Sequence, residues 1–242
     1  MIRWYTALID LPAADLEATT AFWAGATGYA RSERDDRHLT RLLRPDGDPY
    51  LAIRPSDVAH SRVHIDLHVD DVAAYADRAV ALGATRTAGA DHAAVMRSPG
   101  GLGFRLGPEA ASTVPPPATF RGVRSRVNQV CIDVPAALWS SESDFWSGLI
   151  ERPYRQLTRA TFRLLQDDPR FPLRILLQRD SRLRQVAAHL DVGTTDRDAE
   201  ILRHIALGAV EIEEFAEWTR LMDPSGMPYC ITDRDPVSGR PR

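Results

Sequence analysis

The sequence predicts an α+β chain of two tandem domains, each built from two βαβββ halves that form a curved, partly closed mixed sheet with helices outside. An internal repeat predicts it first: Phe22-Trp23, His64-Ile65-Asp66, Leu82-Gly83-Ala84 and Gly103-Phe104 return as Phe145-Trp146, His189-Leu190-Asp191, Leu207-Gly208-Ala209 and Pro228-Tyr229. The offsets of 123, 125, 125 and 125 residues drift only as far as insertions confined to loops allow. Within each copy, period-two and helical patterns alternate twice in the same order. The third observation is the run from Gly107 to Pro117, where successive prolines cannot donate backbone hydrogen bonds and Ser112 and Thr113 keep the chain polar. These observations divide the chain into a first domain at 1–108, a proline-rich linker at 109–125, a second domain at 126–235 and a polar tail at 236–242.

The elements follow in order. Residues 5–10 and 127–134 read as strands, and 15–25 and 140–148 carry apolar and small residues at helical spacing. Short apolar runs at 39–43, 50–54, 161–166 and 173–178, each bounded by Pro, Gly or Asp, read as strands. The second halves open with strands at 63–69 and 185–192 and pass into helices at 71–82 and 196–207. Those helices stop at Gly83 and Gly208, the residue type that takes the left-handed conformation at a helix end. Turn-rich stretches at 97–103 and 222–228 lead into the closing strands.

Composition excludes several partners. The chain has 242 residues, 44% hydrophobic and 26% charged, enough for two cores of about 110 residues each. Its net charge of −3, with basic residues scattered along the sequence, gives nucleic acid no electrostatic footprint. No apolar run reaches the roughly 18 residues that span a bilayer, and no signal-peptide order opens the chain, so no membrane partner and a cytoplasmic location are expected. Cys131 and Cys230 read as buried thiols in a reducing compartment. Every basic residue other than histidine is arginine, suited to holding a carboxylate bidentately.

Period-two alternation sends Ile65, Leu67 and Val69 against the helices and His64, Asp66 and His68 to the opposite, concave face. The second copy keeps His189 and Asp191 and has Gly193 in the third place. An imidazole on such a face is a candidate ligand, base or hydrogen-bond donor. On the first strand of the second copy Gln129, Cys131 and Asp133 share one face; the first copy offers Thr6, Leu8 and Asp10. Asp10 and Asp133 read as turn or cap residues, Phe22-Trp23 and Phe145-Trp146 as core, and His38, His60, His92 and His204 as solvated. Gly100-Gly101-Leu102-Gly103 is not a phosphate loop: it has no lysine, follows a proline turn and enters a strand. The chain has no Gly-x-Ser-x-Gly elbow, no His-Glu-x-x-His and no paired-cysteine zinc motif.

With the repeated strand-helix ending in Phe-Trp, the His-x-Asp strand leading to Leu-Gly-Ala, and the close Asp223-Pro-Ser-Gly-Met-Pro-Tyr-Cys230, the chain resembles the glyoxalase, bleomycin-resistance and extradiol-dioxygenase superfamily, also called vicinal oxygen chelate, and in particular its glyoxalase-like domain branch. The resemblance implies a concave pocket for a small organic molecule. Metal-dependent relatives hold their ion with a His or Gln on the first strand, an acid on the fourth, a His on the fifth and a Glu on the eighth. The first copy sets Thr6, Arg54, His64 and Arg105 at those places, and the second sets Gln129, Gln178, His189 and Cys230. Two guanidiniums repel a divalent ion and attract an anion. The acid that binds metal and shuttles a proton in lyase-type relatives is thus replaced by Arg105 and Cys230, which counts against glyoxalase chemistry.

The leading expectation is therefore a small-molecule-binding protein with no cofactor and no classical metal site. Its ligand-binding residues are His64, Asp66, His68, Arg54, Arg105, Gln129, Cys131, Gln178 and Cys230. The alternative is a lyase, isomerase or dioxygenase-like enzyme that uses the second copy, with His189 and Asp191 catalytic and any divalent metal on His189, Asp191 and Cys230. A noncatalytic structural or interaction role is the third reading. The chain is expected to be a monomer or a homodimer.

Overall fold

The computed structural model describes residues 1–90 and 92–242. In the first copy the elements are β1 (Ile2–Leu11), α1 (Leu16–Thr27), β2 (Ala30–Arg31), β3 (Thr40–Leu43), β4 (Leu51–Pro55), β5 (Arg62–Val69), α2 (Val72–Ala81), β6 (Thr85–Ala90), β7 (Ala93–Arg97) and β8 (Gly103–Gly107). A short strand, β9 (Ala118–Phe120), follows within the proline-rich stretch and pairs with the start of the next strand. The second copy contributes β10 (Val123–Val134), α3 (Trp139–Ile150), β11 (Tyr154–Gln156), β12 (Phe162–Leu165), β13 (Arg174–Arg179), β14 (Ala187–Thr194), α4 (Arg197–Ala206), β15 (Val210–Glu214), β16 (Trp218–Met222) and β17 (Pro228–Thr232).

Each copy builds one sheet, and the two have the same topology: β2-β3-β4-β1-β5-β8-β7-β6 and β11-β12-β13-β10-β14-β17-β16-β15. Both are mixed. β5 runs parallel to β8 with Asp66 opposite Arg105, and β14 runs parallel to β17 with Asp191 opposite Cys230. These two registers set the neighbours of the polar rows. The later helices begin where aspartate caps them: Asp71 accepts from Ala74 N–H at 3.0 Å and Asp196 from Ala199 N–H at 3.1 Å. They end at Gly83 and Gly208, whose φ values of 100° and 108° need glycine.

Two compact units take a half from each copy. One contains Met1–Ala7, His64–Ser112 and Val130–Ala188. In it α3 packs on the closing strand of the first copy, with Trp146 and Phe145 at 5.5 and 5.7 Å from Phe104, and Trp146 Nε1 donates to Glu142 Oε2 at 2.9 Å. Glu142 also accepts from the N–H of Gly100 in the turn before β8.

The other unit contains Leu8–Val63, Thr113–Gln129 and His189–Arg242. There α1 packs on the closing strand of the second copy, with Trp23 and Phe22 at 5.2 and 5.8 Å from Tyr229. Trp23 Nε1 donates to Asp223 Oδ2 at 2.9 Å. The helical Phe-Trp pairs are core, and each packs on the second half of the other copy. Among the described residues no helix is long and apolar enough to cross a membrane.

Candidate functional site

The first unit gathers Thr6, Asp66, His68 and Arg105 with Glu109, a residue of the linker. Thr6 Oγ1 lies 2.9 Å from His68 Nε2, and His68 Nδ1 lies 3.2 Å from the carbonyl oxygen of Glu109. Arg105 donates from Nη2 to Glu109 Oε1 at 2.8 Å and from Nη1 to Glu109 Oε2 at 3.1 Å, with Asp66 Oδ2 3.4 Å from Nη1. Burial opposes ionisation of Glu109, but the hydrogen bonds from Arg105 prevail and hold its carboxyl down to about 2. His64 lies against Gly103, where a Cβ would come within 2.9 Å of its Nε2, so the glycine makes room for the ring. The cation at this face is matched by two carboxylates of its own chain.

The second unit gathers Gln129, His189, Asp191 and Cys230. Gln129 Nε2 donates to Asp191 Oδ2 at 2.5 Å, and Asp191 Oδ1 lies 3.4 Å from His189 Nε2. That Oδ1 is buried and accepts no hydrogen bond. Burial pushes the Cys230 thiol up, against the charge and hydrogen bond of His189, so it stays protonated at neutral pH and is a poor nucleophile. Gly193 stands where the first copy has His68, and a Cβ there would come within 2.4 Å of Asn128 Nδ2 and 3.1 Å of the Arg234 carbonyl oxygen.

Three expected residues, Arg54, Cys131 and Gln178, make contacts of their own. Arg54 pairs with Asp10 through Nε at 2.9 Å and Nη2 at 2.7 Å. Asp10 is therefore an ion-pair partner, and a turn or cap role is corrected. Cys131 lies 3.6 Å from Gln178 Oε1 and packs with Leu164 and Leu176.

The rows are also less open than alternation suggested. Asp66, His68, His189 and Asp191 are 4–8% exposed, since the concave side of each central strand is itself covered. His204 was expected in solvent but is fully buried, with Nδ1 2.9 Å from Tyr229 OH and Nε2 3.2 Å from Glu200 Oε1. Its helix face meets the core, and Glu200 one turn earlier was the available signal. Glu109 and Asn128 were missed altogether; the first lies in a stretch read as linker, and the second sits beside a strand position judged by its neighbour.

A divalent ion does not fit the first group, because Arg105 stands at an expected ligand place and already engages both acids. It fits the second better. A buried carboxylate oxygen without a donor, facing an imidazole, suits either a cation or a hydrogen-bond donor.

A family model described as "Glyoxalase-like domain" matches residues 6–107 and again 129–232. No curated protein sequence matches the chain. Among solved structures it is similar to the Mn(II)-bound glyoxalase from Novosphingobium aromaticivorans, at 15% identity and a TM-score of 0.68 over 99% of this chain and 83% of that one. It is similar to 2,2',3-trihydroxybiphenyl 1,2-dioxygenase from Sphingomonas wittichii, at 14% identity and 0.65 over 96% and 90%. A third likeness is to a mutant of 4-hydroxymandelate synthase from Streptomyces coelicolor, at 14% identity and 0.62 over 98% and 94%. At these identities the likeness shows the fold.

Proposed function

We propose that this chain, which belongs to the glyoxalase-like domain family in both of its copies, binds a small organic molecule through its second copy, where His189 and Asp191 anchor it and Gln129 and Cys230 complete the polar set. One observation carries the reading: Asp191 Oδ1 is buried, accepts no hydrogen bond and faces His189 Nε2 at 3.4 Å. A buried acceptor left without a donor costs about 1–3 kcal/mol. A ligand that brings a hydroxyl or N–H donor to this oxygen recovers that cost, and a low-dielectric setting strengthens the new bond. The ligand class is then a neutral hydroxylated molecule with an apolar body. His189 can hold or move a proton at the ligand's hydroxyl oxygen, with Asp191 orienting the ring.

The same orphaned oxygen supports a second reading, a metal-dependent enzyme of the lyase, isomerase or dioxygenase type. His189 and Asp191 would hold the ion, with the Cys230 thiol, which hydrogen-bonds His189, completing the set. When bound, the ion would polarise a substrate oxygen as a Lewis acid. A thiol donor must first lose its proton, so uptake would rise with pH.

The deciding experiment measures zinc, manganese, nickel and iron in purified protein before and after add-back. It is paired with a thermal-shift screen of phenol, catechol and related neutral hydroxylated probes. Saturable probe binding without stoichiometric metal, weakened about tenfold in His189→Ala, supports the binding reading. Near-stoichiometric metal that is lost in His189→Ala replaces it with the enzymatic one.

A further inference from the structure

Arg105 is engaged the way a carboxylate-recognition arginine engages its ligand. Its two terminal nitrogens each take one oxygen of Glu109, at 2.8 and 3.1 Å, a two-pronged fit specific for a planar carboxylate. The fit is close to the backbone: at Gly107 a Cβ would come within 2.3 Å of Glu109 Oε2 and 2.4 Å of Arg105 Nη1, so a larger residue there would crowd both side-chain ends. Glu109 lies outside any strand or helix and its side chain is about one-third exposed, while Arg105 keeps 16% exposure and Asp66 7%. The carboxylate therefore enters from the solvent side, onto a guanidinium held by the sheet.

We propose that Arg105, His68 and Thr6 form a binding site for small monocarboxylates, and that Glu109 of the linker is its resident occupant. His68 supports the fit, with Nδ1 3.2 Å from the Glu109 carbonyl oxygen and 3.8 Å from its Oε2 and with Nε2 held by Thr6 at 2.9 Å. Asp66, 3.4 Å from Arg105 Nη1, selects against a dianion such as phosphate by like-charge repulsion. A tethered carboxylate acts at an effective concentration of about millimolar or more, so a free ligand binds only when Glu109 has swung out. Its apparent affinity falls in proportion to the fraction of open sites. This site is separate from the second-copy pocket and does not depend on it.

The test is a thermal-shift and calorimetric titration with sodium benzoate and sodium acetate, with inorganic phosphate as the tetrahedral control. Glu109→Ala should bind benzoate at least tenfold more tightly than the parent chain, regain thermal stability with added carboxylate, and respond little to phosphate. Arg105→Ala combined with Glu109→Ala should lose the gain. Should Glu109→Ala unfold, Glu109→Gln carries the same comparison, because it removes the charge and keeps one acceptor. A folded Glu109 variant that binds benzoate no better than the parent chain overturns the proposal, as does equal binding of phosphate. Because the site lies in the first copy, His189→Ala should leave these titrations unchanged.

Discussion

In the first copy the eighth-strand residue carries a charge, and in the second it does not; most differences between the two polar faces follow from that. Arg105 lies opposite Asp66 and engages it, drawing in Glu109 as well, and Thr6 is left to His68. Cys230 lies opposite Asp191 in the same register but offers no charge. The longer arm of Gln129 reaches Asp191 instead, and one carboxylate oxygen stays without a donor. One topology thus gives a face closed by its own ion pairs and a face with an acceptor still to be satisfied. Charge at a single register position accompanies either a face closed by its own ion pairs or one with a buried acceptor left without a hydrogen bond.

Arg105→Ala breaks the comparison most severely, since it removes the cation that Asp66 and Glu109 share. A loss of about 3–5 kcal/mol in urea unfolding is expected, the cost of breaking a buried pair by removing one partner. The counterpart Cys230→Ala should cost about 1 kcal/mol, because it removes only a small buried group. Equal losses would contradict the assignment of charge as the difference.

Gly193→His restores the missing third member of the second row and must displace Asn128. A cost of about 1–3 kcal/mol by overpacking is expected in the same assay. A neutral outcome would show that the second face has room that the geometry denies it.

Binding should separate the copies next. His189→Ala should weaken a neutral hydroxylated probe by about tenfold, or 1.4 kcal/mol. His64→Ala should leave the affinity within about twofold, since the first face is closed; the same titration checks both.

The smallest effect is in pH. Glu109 is held down to about 2 in the folded chain against its ordinary 4.5, so the unfolded chain binds more protons between those values. Its contribution is fully present above the ordinary value and is lost as pH falls toward 2. The stability difference between the parent chain and Glu109→Gln should hold steady above about pH 5 and shrink below it. A difference that grows on acidification would contradict the Arg105–Glu109 pair.

Much of the fold was legible because it rests on periodicity and punctuation. The alternation in 63–69 and 185–192, the helical patterns and the glycine stops placed β5, β14, α2 and α4 within a residue or two of their observed ends. The short strands β2, β6, β7, β11, β15 and β16 were counted in the βαβββ halves but not given bounds, since two to six residues carry too little pattern and β6 and β15 are largely exposed polar ladders. Burial was harder still: β10 is covered on both faces, so alternation gave the facing of Gln129 and Cys131 but not their exposure. The partners of Arg105 could not be read from spacing. Asp66 follows from a parallel register, and Glu109 from a fold-back that Gly107 permits. The exchange of halves between copies was equally invisible, because Phe22-Trp23 reads the same whichever closing strand it meets.

The second copy alone leaves its polar face unfilled by the chain's own groups, with His189 and Asp191 open to a neutral ligand. Calorimetric titration of the parent chain, His64→Ala and His189→Ala with catechol tests it most directly. One site per chain, retained in His64→Ala and weakened about tenfold in His189→Ala, is the predicted result. Two equivalent sites, or loss of binding in His64→Ala with binding kept in His189→Ala, would contradict it.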